Sequence, residues 1–195
     1  MLSTSPIGSI ARFFWELIKL IILAVVIIVP IRYFLIQPFF VKGASMEPTF
    51  LDGEYLVIDE LSYRFREPAR GEVIVFRYPQ APSQFFIKRI IGLPGETVRV
   101  QDGKVIIRNE AHPEGVIINE VGYLPQDLRT GGQPIDVTLG KDEFFVLGDN
   151  RAVSSDSRTW GALPRNDITG RVWIRAYPVS RWDIFSVPRV GFLNS

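Results

Sequence analysis

The stretch "FFIKRIIGLPGE", from Phe85 to Glu96, determines the fold class that we predict for this chain. Its large apolar side chains alternate as in a half-buried β-strand, and a rigid Gly-Leu-Pro-Gly turn ends it. The period of two places Lys88 on one face of the strand and Arg89 on the other. Because hydrophobic side chains surround both, we expect one of these two cations to be poorly solvated or to lie at an edge.

Short runs of the same kind fill the chain beyond residue 43, and Gly, Pro and Asp residues separate them. The sequence "QDGK" at residues 101–104 indicates a hairpin, because Asp-Gly readily adopts the positive φ of a two-residue turn. From about Asp102 to Leu139 the chain is richer in loops, which predicts an insertion or a small second lobe. We therefore predict a mainly β fold built on an antiparallel sheet. The predicted strands are Tyr55–Asp59, Glu72–Arg77, Phe85–Ile91, Thr97–Val100, Lys104–Arg108, Gly115–Asn119, Phe144–Leu147 and Arg171–Tyr177.

The N-terminal part of the chain differs, since residues 13–31 are almost entirely apolar and residues 20–29 contain no polar side chain. About 20 such residues in a helix span the roughly 30 Å core of a bilayer. No small-residue cleavage pattern follows, so we predict a short tail at residues 1–11, an uncleaved transmembrane anchor at residues 12–35 and a β-rich domain at residues 36–195. A buried core helix is the alternative, and basic residues on both sides leave the orientation open.

The composition excludes several classes of function. The chain has 22 basic and 21 acidic residues, so it lacks the charge that nucleic-acid binding requires. It contains no cysteine and a single histidine, His112, which argues against thiol chemistry and against a zinc enzyme. We predict that the protein uses no metal and no cofactor.

Lys88 is the first candidate for chemistry. Burial disfavours the charged form of lysine and lowers its pKa, and a neutral amine is a general base. The alternative is a lysine whose ammonium reaches water beyond its apolar stem. A base needs a nucleophile, and "KGASMEPT" at residues 42–49 offers Ser45 on a turn whose backbone amides can face a developing oxyanion. The alternative role for Ser45 is a helix N-cap.

A third polar stretch, "GDNRAVSSDSRTWG", follows an apolar strand at residues 148–161. Such sequences commonly form turns in which Asp and Asn bond to their own backbone. The charges in this stretch alternate in sign, so they could instead pair with one another beside a site, where a serine hydroxyl could orient an amine. The charged residues are Asp149, Arg151, Asp156 and Arg158, and the serines are Ser154 and Ser155.

Behind an apolar N-terminal segment, the ordered set "SMEPT", "RGEVIVFRYP", "IKRIIGLPGE" and "GDNRAVSSDSRTWG" resembles the type I signal peptidases, which are membrane-bound Ser/Lys proteases. The resemblance implies an antiparallel β-sheet catalytic domain of the signal-peptidase type, with a small β insertion and one N-terminal transmembrane helix. It implies that Ser45 attacks the scissile carbonyl of a preprotein. Lys88 would be the general base and later the acid for the leaving amine.

The same resemblance assigns supporting roles to the polar stretch. Ser154 matches a serine that orients the lysine amine, and Asp156 and Arg158 match an ion pair that holds the loop. Asp149 and Arg151 belong to the same support. The predicted substrate and oxyanion site consists of Gly43, Ser45 and Met46.

Two positions depart from the family pattern. Gly43 stands where some members carry a serine that helps to bind the oxyanion, so a backbone amide, chiefly that of Ser45, would have to perform this task. Val153 stands where asparagine is often found before the orienting serine.

The resemblance further implies partners and a location. The partners are the signal peptides of exported preproteins, the lipid bilayer and the protein translocation machinery. The protein would be a single-pass protein of the cell membrane or a thylakoid-type membrane, with its catalytic domain on the exported side. The end of the chain, with Trp182, Ile184 and Phe185, is either a tail packed on the domain or a patch that contacts the bilayer.

Two other functions are compatible with the sequence. One is a Ser/Lys protease that processes a single membrane substrate, with the same chemistry and a narrower substrate range. The other is a membrane-tethered β domain that binds extended peptides by strand addition and has lost catalysis.

Overall fold

The computed structural model describes residues 6–34, 36–125, 128–188 and 190–193. Residues 1–5 of the predicted tail and residue 35 at the end of the predicted anchor lie outside the described residues. A 29-residue helix, α1 (Pro6–Phe34), precedes the sheets and begins inside the stretch predicted as a tail. Its described side chains at Ile10 and residues 12–28 are exposed, apart from the half-buried Ala24.

Among the helices of the described residues, none has the length and apolar character that a membrane crossing needs.

The rest of the chain forms two antiparallel sheets. The strands are β1 (Ile36–Phe40), β2 (Tyr55–Asp59), β3 (Val73–Tyr78), β4 (Ala81–Gly92), β5 (Thr97–Gln101), β6 (Lys104–Asn109), β7 (His112–Asn119), β8 (Ile135–Thr138), β9 (Glu143–Leu147), β10 (Leu163–Pro164), β11 (Ile168–Tyr177), β12 (Asp183–Ile184) and β13 (Gly191–Phe192). One short α-helix, α2 (Ser157–Trp160), and 3-10 turns at Ser62–Arg64, Arg165–Asp167 and Val179–Arg181 complete the described elements.

The larger sheet has the strand order β1-β2-β11-β3-β4-β9-β10, and β12 pairs with β11. The predicted antiparallel β fold is therefore confirmed. Strand β4 lies inside this sheet, with Lys88 opposite Ile74 of β3 and Arg89 opposite Leu147 of β9. Apolar clusters pack on both faces of the sheet, so the strand predicted as half-buried is buried on both faces from Ile87 to Gly92, while Phe85 is exposed.

The smaller sheet has the order β13-β7-β6-β5-β8. It begins at Thr97, before the predicted insertion at 102–139, and its edge strand β13 comes from the end of the chain. The predicted "QDGK" hairpin joins β5 to β6, with φ of 52° at Asp102 and 78° at Gly103, as a two-residue primed turn requires.

Gly92 ends β4 where the two sheets meet. A Cβ atom there would lie 2.8 Å from Leu139 and 2.9 Å from Phe145, and would also clash with Val98. The Gly-Leu-Pro-Gly turn of the opening stretch therefore lets the chain leave the larger sheet at a point of close contact and enter the smaller one.

Candidate active site

Ser45 and Lys88 come together although 43 residues separate them in the sequence. Ser45 lies in a series of turns between β1 and β2, and Lys88 lies in the buried half of β4. The Nζ atom of Lys88 donates a hydrogen bond to Ser45 Oγ over 2.8 Å and another to the carbonyl oxygen of Ile87, also over 2.8 Å. The hydroxyl is thus within direct proton-transfer distance of the amine.

The environment of Lys88 favours the neutral amine. The residue is only 4% exposed, and burial lowers its pKa from 10.5 to about 8, although the nearby carboxylates of Asp156 and Asp149 act in the opposite direction. Burial is thus the cause of the lowered Lys88 pKa, as we expected from the sequence. The amine therefore loses its proton at mildly alkaline pH, more than two pH units below an ordinary lysine.

Arg89, on the opposite face of β4, is also completely buried. It forms a bidentate ion pair with Asp149, with Nε–Oδ1 at 2.8 Å and Nη2–Oδ2 at 2.6 Å, and it donates to the carbonyl oxygen of Gly71 over 2.7 Å. Its guanidinium lies 4.1 Å from the ring centre of Tyr123. Lys88 and Arg89 are therefore both buried, whereas we expected this of one of them. Each has its own partner, Ser45 for Lys88 and Asp149 for Arg89.

The loop after β9 holds the turn that carries Ser45. The amide of Asn150 donates to the carbonyl oxygen of Ser45 over 3.1 Å, and the hydroxyl of Thr49 donates to Asp149 over 2.6 Å. Because Asp149 also binds Arg89, one carboxylate connects the serine turn to the residue next to Lys88. These are the contacts through which we expect Asp149 to support the site.

Gly148 lies where the two halves of the site meet. A Cβ atom at this position would lie 2.5 Å from the carbonyl oxygen of Ser45 and 2.5 Å from Ser154 Cβ, and would also clash with Ser154 Oγ. Only glycine leaves room for the Ser45 turn against this loop.

Asp156 and Arg158 form the predicted ion pair. Asp156 is completely buried, and both of its oxygens accept from the Arg158 guanidinium over 2.8 Å. Asp156 also accepts from the amide of Gly148 over 3.0 Å and caps the N-terminus of α2. The ion pair thus holds the backbone of Gly148 through the Asp156 carboxylate.

Arg151 connects the site to the smaller sheet. Its guanidinium pairs with Glu120, with Nη1–Oε2 at 3.0 Å, and also contacts the hydroxyl of Thr130. Its Nε donates to the carbonyl oxygen of Gly148 over 3.0 Å. The four charges of residues 149–158 therefore do not all pair among themselves, since Asp149 and Arg151 find partners in Arg89 and Glu120.

Three predicted residues have environments that differ from their predicted roles. Ser154 Oγ is buried and has no hydrogen-bond partner among the described residues, so it forms no hydrogen bond with the Lys88 amine. The side chain of Met46 is completely buried in the core cluster with Phe50. Gly43 has φ of 87°, which favours glycine over serine, and its amide donates to Asp52 over 2.6 Å.

The backbone amide of Ser45 is free to bind an oxyanion, since it donates to no acceptor in the hydrogen bonds of the described residues. The amide of Gly43 is already occupied by Asp52. Of the predicted oxyanion set, the backbone amides of Ser45 and Met46 thus donate to no acceptor among the described residues, whereas that of Gly43 does.

A cleft of about 890 Å³ opens onto Ser45 and Lys88. Most of its wall is apolar, and the rest comes from the polar residues of the site. The wall includes Phe39, Phe85, Phe86, Ile87, Val153 and Ser155. No group of three or more His, Cys, Asp or Glu side chains that could hold a metal ion occurs in the part of the chain that the structure describes.

Comparisons with known proteins identify the family. The model of the signal peptidase family, peptidase S26, matches residues 14–177. Signal peptidase I of Leptolyngbya laminosa is 40% identical over 173 residues, which cover 85% of this chain and 81% of that protein. Probable signal peptidase I-2 of Synechocystis sp. is 38% identical over 184 residues, covering 92% and 77%. Signal peptidase IB of Staphylococcus aureus is 30% identical over 176 residues, covering 86% and 91%.

Among solved structures, a signal peptidase I from Enterococcus faecalis aligns with a TM-score of 0.43 and 30% identity, over 54% of this chain and 97% of that chain. The match to the family model and the identities with the three relatives show that the chain belongs to the signal peptidase I family and is a peptidase.

The ion pair of Asp156 and Arg158 gives a first prediction. Replacing Arg158 with alanine leaves a fully buried carboxylate without its charged partner, so we expect the free energy of unfolding to fall by about 3 kcal/mol. Chemical denaturation measures this change. The control is Arg99→Ala, which breaks an exposed pair with Asp136 and should cost less than about 1 kcal/mol. Equal effects of the two substitutions would show that the loop is held by other contacts.

Proposed function

We propose that this protein is a serine endopeptidase that removes N-terminal signal peptides from exported preproteins, with Ser45 as nucleophile and Lys88 as general base. The observation that carries the proposal is the 2.8 Å contact between Ser45 Oγ and a buried amine whose pKa is lowered to about 8. A serine hydroxyl is a weak nucleophile until a neighbouring base accepts its proton, and an amine with this pKa is able to do so.

The proposed reaction has two steps. The neutral Lys88 amine takes the proton from the Ser45 hydroxyl as Oγ attacks the scissile carbonyl, and the resulting ammonium returns that proton to the leaving amine. Water, deprotonated by the same amine, then hydrolyses the acyl-enzyme. The amide of Ser45 donates to the oxyanion, and the carboxylates of Asp156 and Asp149 favour the transient ammonium.

Substrate selection follows from the cleft in this proposal. Phe86 and Ile87 form apolar wall beside Lys88, and the turn of Gly43 and Ala44 forms the wall beside Ser45. Signal peptides of small and apolar residues would bury their side chains in such a cleft in an extended conformation. Gly43 shapes the cleft through its backbone. The Met46 side chain does not contribute to substrate binding in this proposal, because it belongs to the core.

We further propose, from the family, that α1 holds the protein at a bilayer as a single-pass anchor with the catalytic domain on the exported side, although no helix of the described residues has by itself the character of a membrane crossing. The exposed apolar side chains along residues 12–28 support this part of the proposal. A second support is a set of exposed aromatic rings that lie together at one end of β1, β2 and β11. The ring centres of Phe40 and Tyr55 are 4.9 Å apart, and those of Tyr55 and Tyr177 are 6.1 Å apart. Tyrosine is favoured at membrane interfaces.

We propose that the end of the chain has both roles that the sequence left open, packing on the domain and contacting the bilayer. Phe185 packs on the core against Phe50, with ring centres 5.1 Å apart, whereas Trp182 and Ile184 are more than half exposed. The exposed pair extends the proposed bilayer surface. The translocation machinery remains a proposed partner on family grounds alone.

Processing of preproteins in detergent or lipid tests the proposed function. The purified protein should cut several unrelated preproteins at the end of their signal peptides, as mass spectrometry of the mature N-termini would show. Cutting of a single preprotein would favour the protease with one substrate. Binding of signal peptides without any cutting would favour the peptide-binding domain.

A further inference from the structure

We propose that Arg175, held by the buried Glu54, is a positioning residue that fixes the turn carrying Ser45. Arg175 lies on β11, and touches neither Ser45 nor Lys88 in the contacts of the described residues. This inference rests on the proposed function, because its kinetic test measures the reaction assigned to Ser45.

The turn at residues 41–54 needs support from outside, because it is not part of either sheet. On one side it is tied to the loop after β9, by Asn150 to Ser45 and by Thr49 to Asp149. These two ties reach the larger sheet through the loop after β9, where Asp149 binds Arg89 of β4. A third tie, made directly by another strand of that sheet, would hold the turn from a second side and keep Ser45 at its distance from Lys88.

Arg175 supplies this third tie through three contacts. Its Nη2 donates to the carbonyl oxygen of Thr49, four residues after Ser45. Its Nε lies 3.0 Å from Glu54 Oε2, and its guanidinium lies 5.1 Å from the ring centre of Phe50. All three partners belong to the second half of the same turn, so one side chain of β11 holds the segment 49–54 against the sheet.

Glu54 orients Arg175. Its side chain is only 2% exposed, and its second oxygen lies 3.0 Å from Arg181 Nη1. The buried carboxylate lies between the two arginines and attracts both guanidinium groups, while Arg175 donates from Nη2 to Thr49 and from Nη1 to the carbonyl oxygen of Arg181 over 3.5 Å. Lysine cannot replace arginine here, because a single ammonium does not reach both Glu54 and the Thr49 carbonyl in this planar geometry.

The test compares Arg175→Lys with Arg171→Lys. Arg171 lies four residues earlier on the same strand and pairs with Asp59 over 3.0 Å, away from the serine turn, so it controls for loss of an arginine on β11. Per folded molecule, we expect kcat for preprotein cleavage to fall about tenfold or more in Arg175→Lys and to change less than about twofold in Arg171→Lys. KM and the pH midpoint should stay the same, because the cleft and the burial of Lys88 are unaffected.

Hydrogen exchange provides a readout that does not need activity. Amides of residues 44–50 should exchange about tenfold faster in Arg175→Lys than in the wild type or in Arg171→Lys, because the turn has lost a tie. Glu54→Gln should give the same pattern more weakly, and it is the second variant if Arg175→Lys does not fold. Unchanged exchange together with unchanged kcat in a folded Arg175→Lys protein would overturn the inference.

The two readouts separate this inference from the proposed function. If neither the wild type nor any variant cleaves a preprotein, but exchange is faster in Arg175→Lys, the proposed function is refuted. Arg175 is then still the residue that fixes the turn. Normal cleavage and normal exchange in Arg175→Lys would refute the positioning role and leave the proposed function intact.

Discussion

Replacing Lys88 with methionine should abolish preprotein cleavage while the protein remains folded. The substitution keeps the length and the apolar part of the side chain and removes only the base, so kcat/KM should fall by about 10⁴-fold or more, as it does when a nucleophile or its base is lost in other serine hydrolases. Ser45→Ala should cause a loss of the same size, and the double variant should be no worse than either single one, because the two groups act together.

The free energy of unfolding of Lys88→Met shows whether an inactive variant has lost the base or the fold. In wild type the pKa of Lys88 is about 8 when folded and 10.5 as an ordinary lysine, so below pH 8 folding must bury an ammonium. Lys88→Met should therefore be more stable than wild type by about 3 kcal/mol at pH 7. This difference should shrink as the pH rises from about 8 to 10.5, where the unfolded lysine also becomes neutral.

The matched control for this prediction is Lys104→Met, which changes an exposed lysine on β6. It should retain full activity and show no such dependence of stability on pH. Full activity in Lys88→Met would remove the proposed mechanism.

Replacing Gly148 with alanine should strongly slow preprotein cleavage. A Cβ atom would lie 2.5 Å from the Ser45 carbonyl oxygen, and the Gly148 backbone cannot withdraw, because Asp156 and Arg151 bind it. The serine turn must therefore move away from its place beside Lys88. We expect kcat/KM to fall by about 100-fold, because a displacement of about 1 Å at a catalytic group has this cost.

Gly191→Ala is the control, since a Cβ atom there meets nothing within 4 Å. The variant Gly148→Ala/Ser154→Gly relieves the clash with Ser154 and keeps the clash with the Ser45 carbonyl. It should stay as slow as Gly148→Ala. Recovery to wild-type activity would show that Ser154, and not the serine turn, makes glycine necessary at position 148.

The strands around the site could be predicted from the sequence because they depend on local pattern, whereas the pairing of Ser45 with Lys88, 43 residues apart, was expected from the resemblance of the ordered motifs to a known family. The apolar run at residues 85–91 identifies β4 and the buried Lys88, and the Asp-Gly pair identifies the hairpin between β5 and β6. Strands with weak local patterns were missed. Strand β1 carries Pro38 and lies at the edge of the larger sheet, where proline is tolerated, and β13 has two residues.

Pairing between distant residues could not be predicted from pattern. Arg89 and Asp149 are 60 residues apart, and Arg151 and Glu120 are 31 apart, so only the folded chain reveals these partners. The sequence instead suggested that the charges of residues 149–158 pair with one another, which is correct for Asp156 and Arg158 alone. The signal that was available for Arg89 was its place next to Lys88 on a strand with two apolar faces.

The pH dependence of kcat/KM tests the central claim most directly, because it reports the protonation state of the free enzyme. If a neutral Lys88 amine is the base, cleavage of a signal-peptide substrate without groups that titrate in this range should rise with pH by a factor of ten per unit and level off above a midpoint near 8. A profile that is flat between pH 6 and pH 10, or that falls through pH 8, would contradict the account.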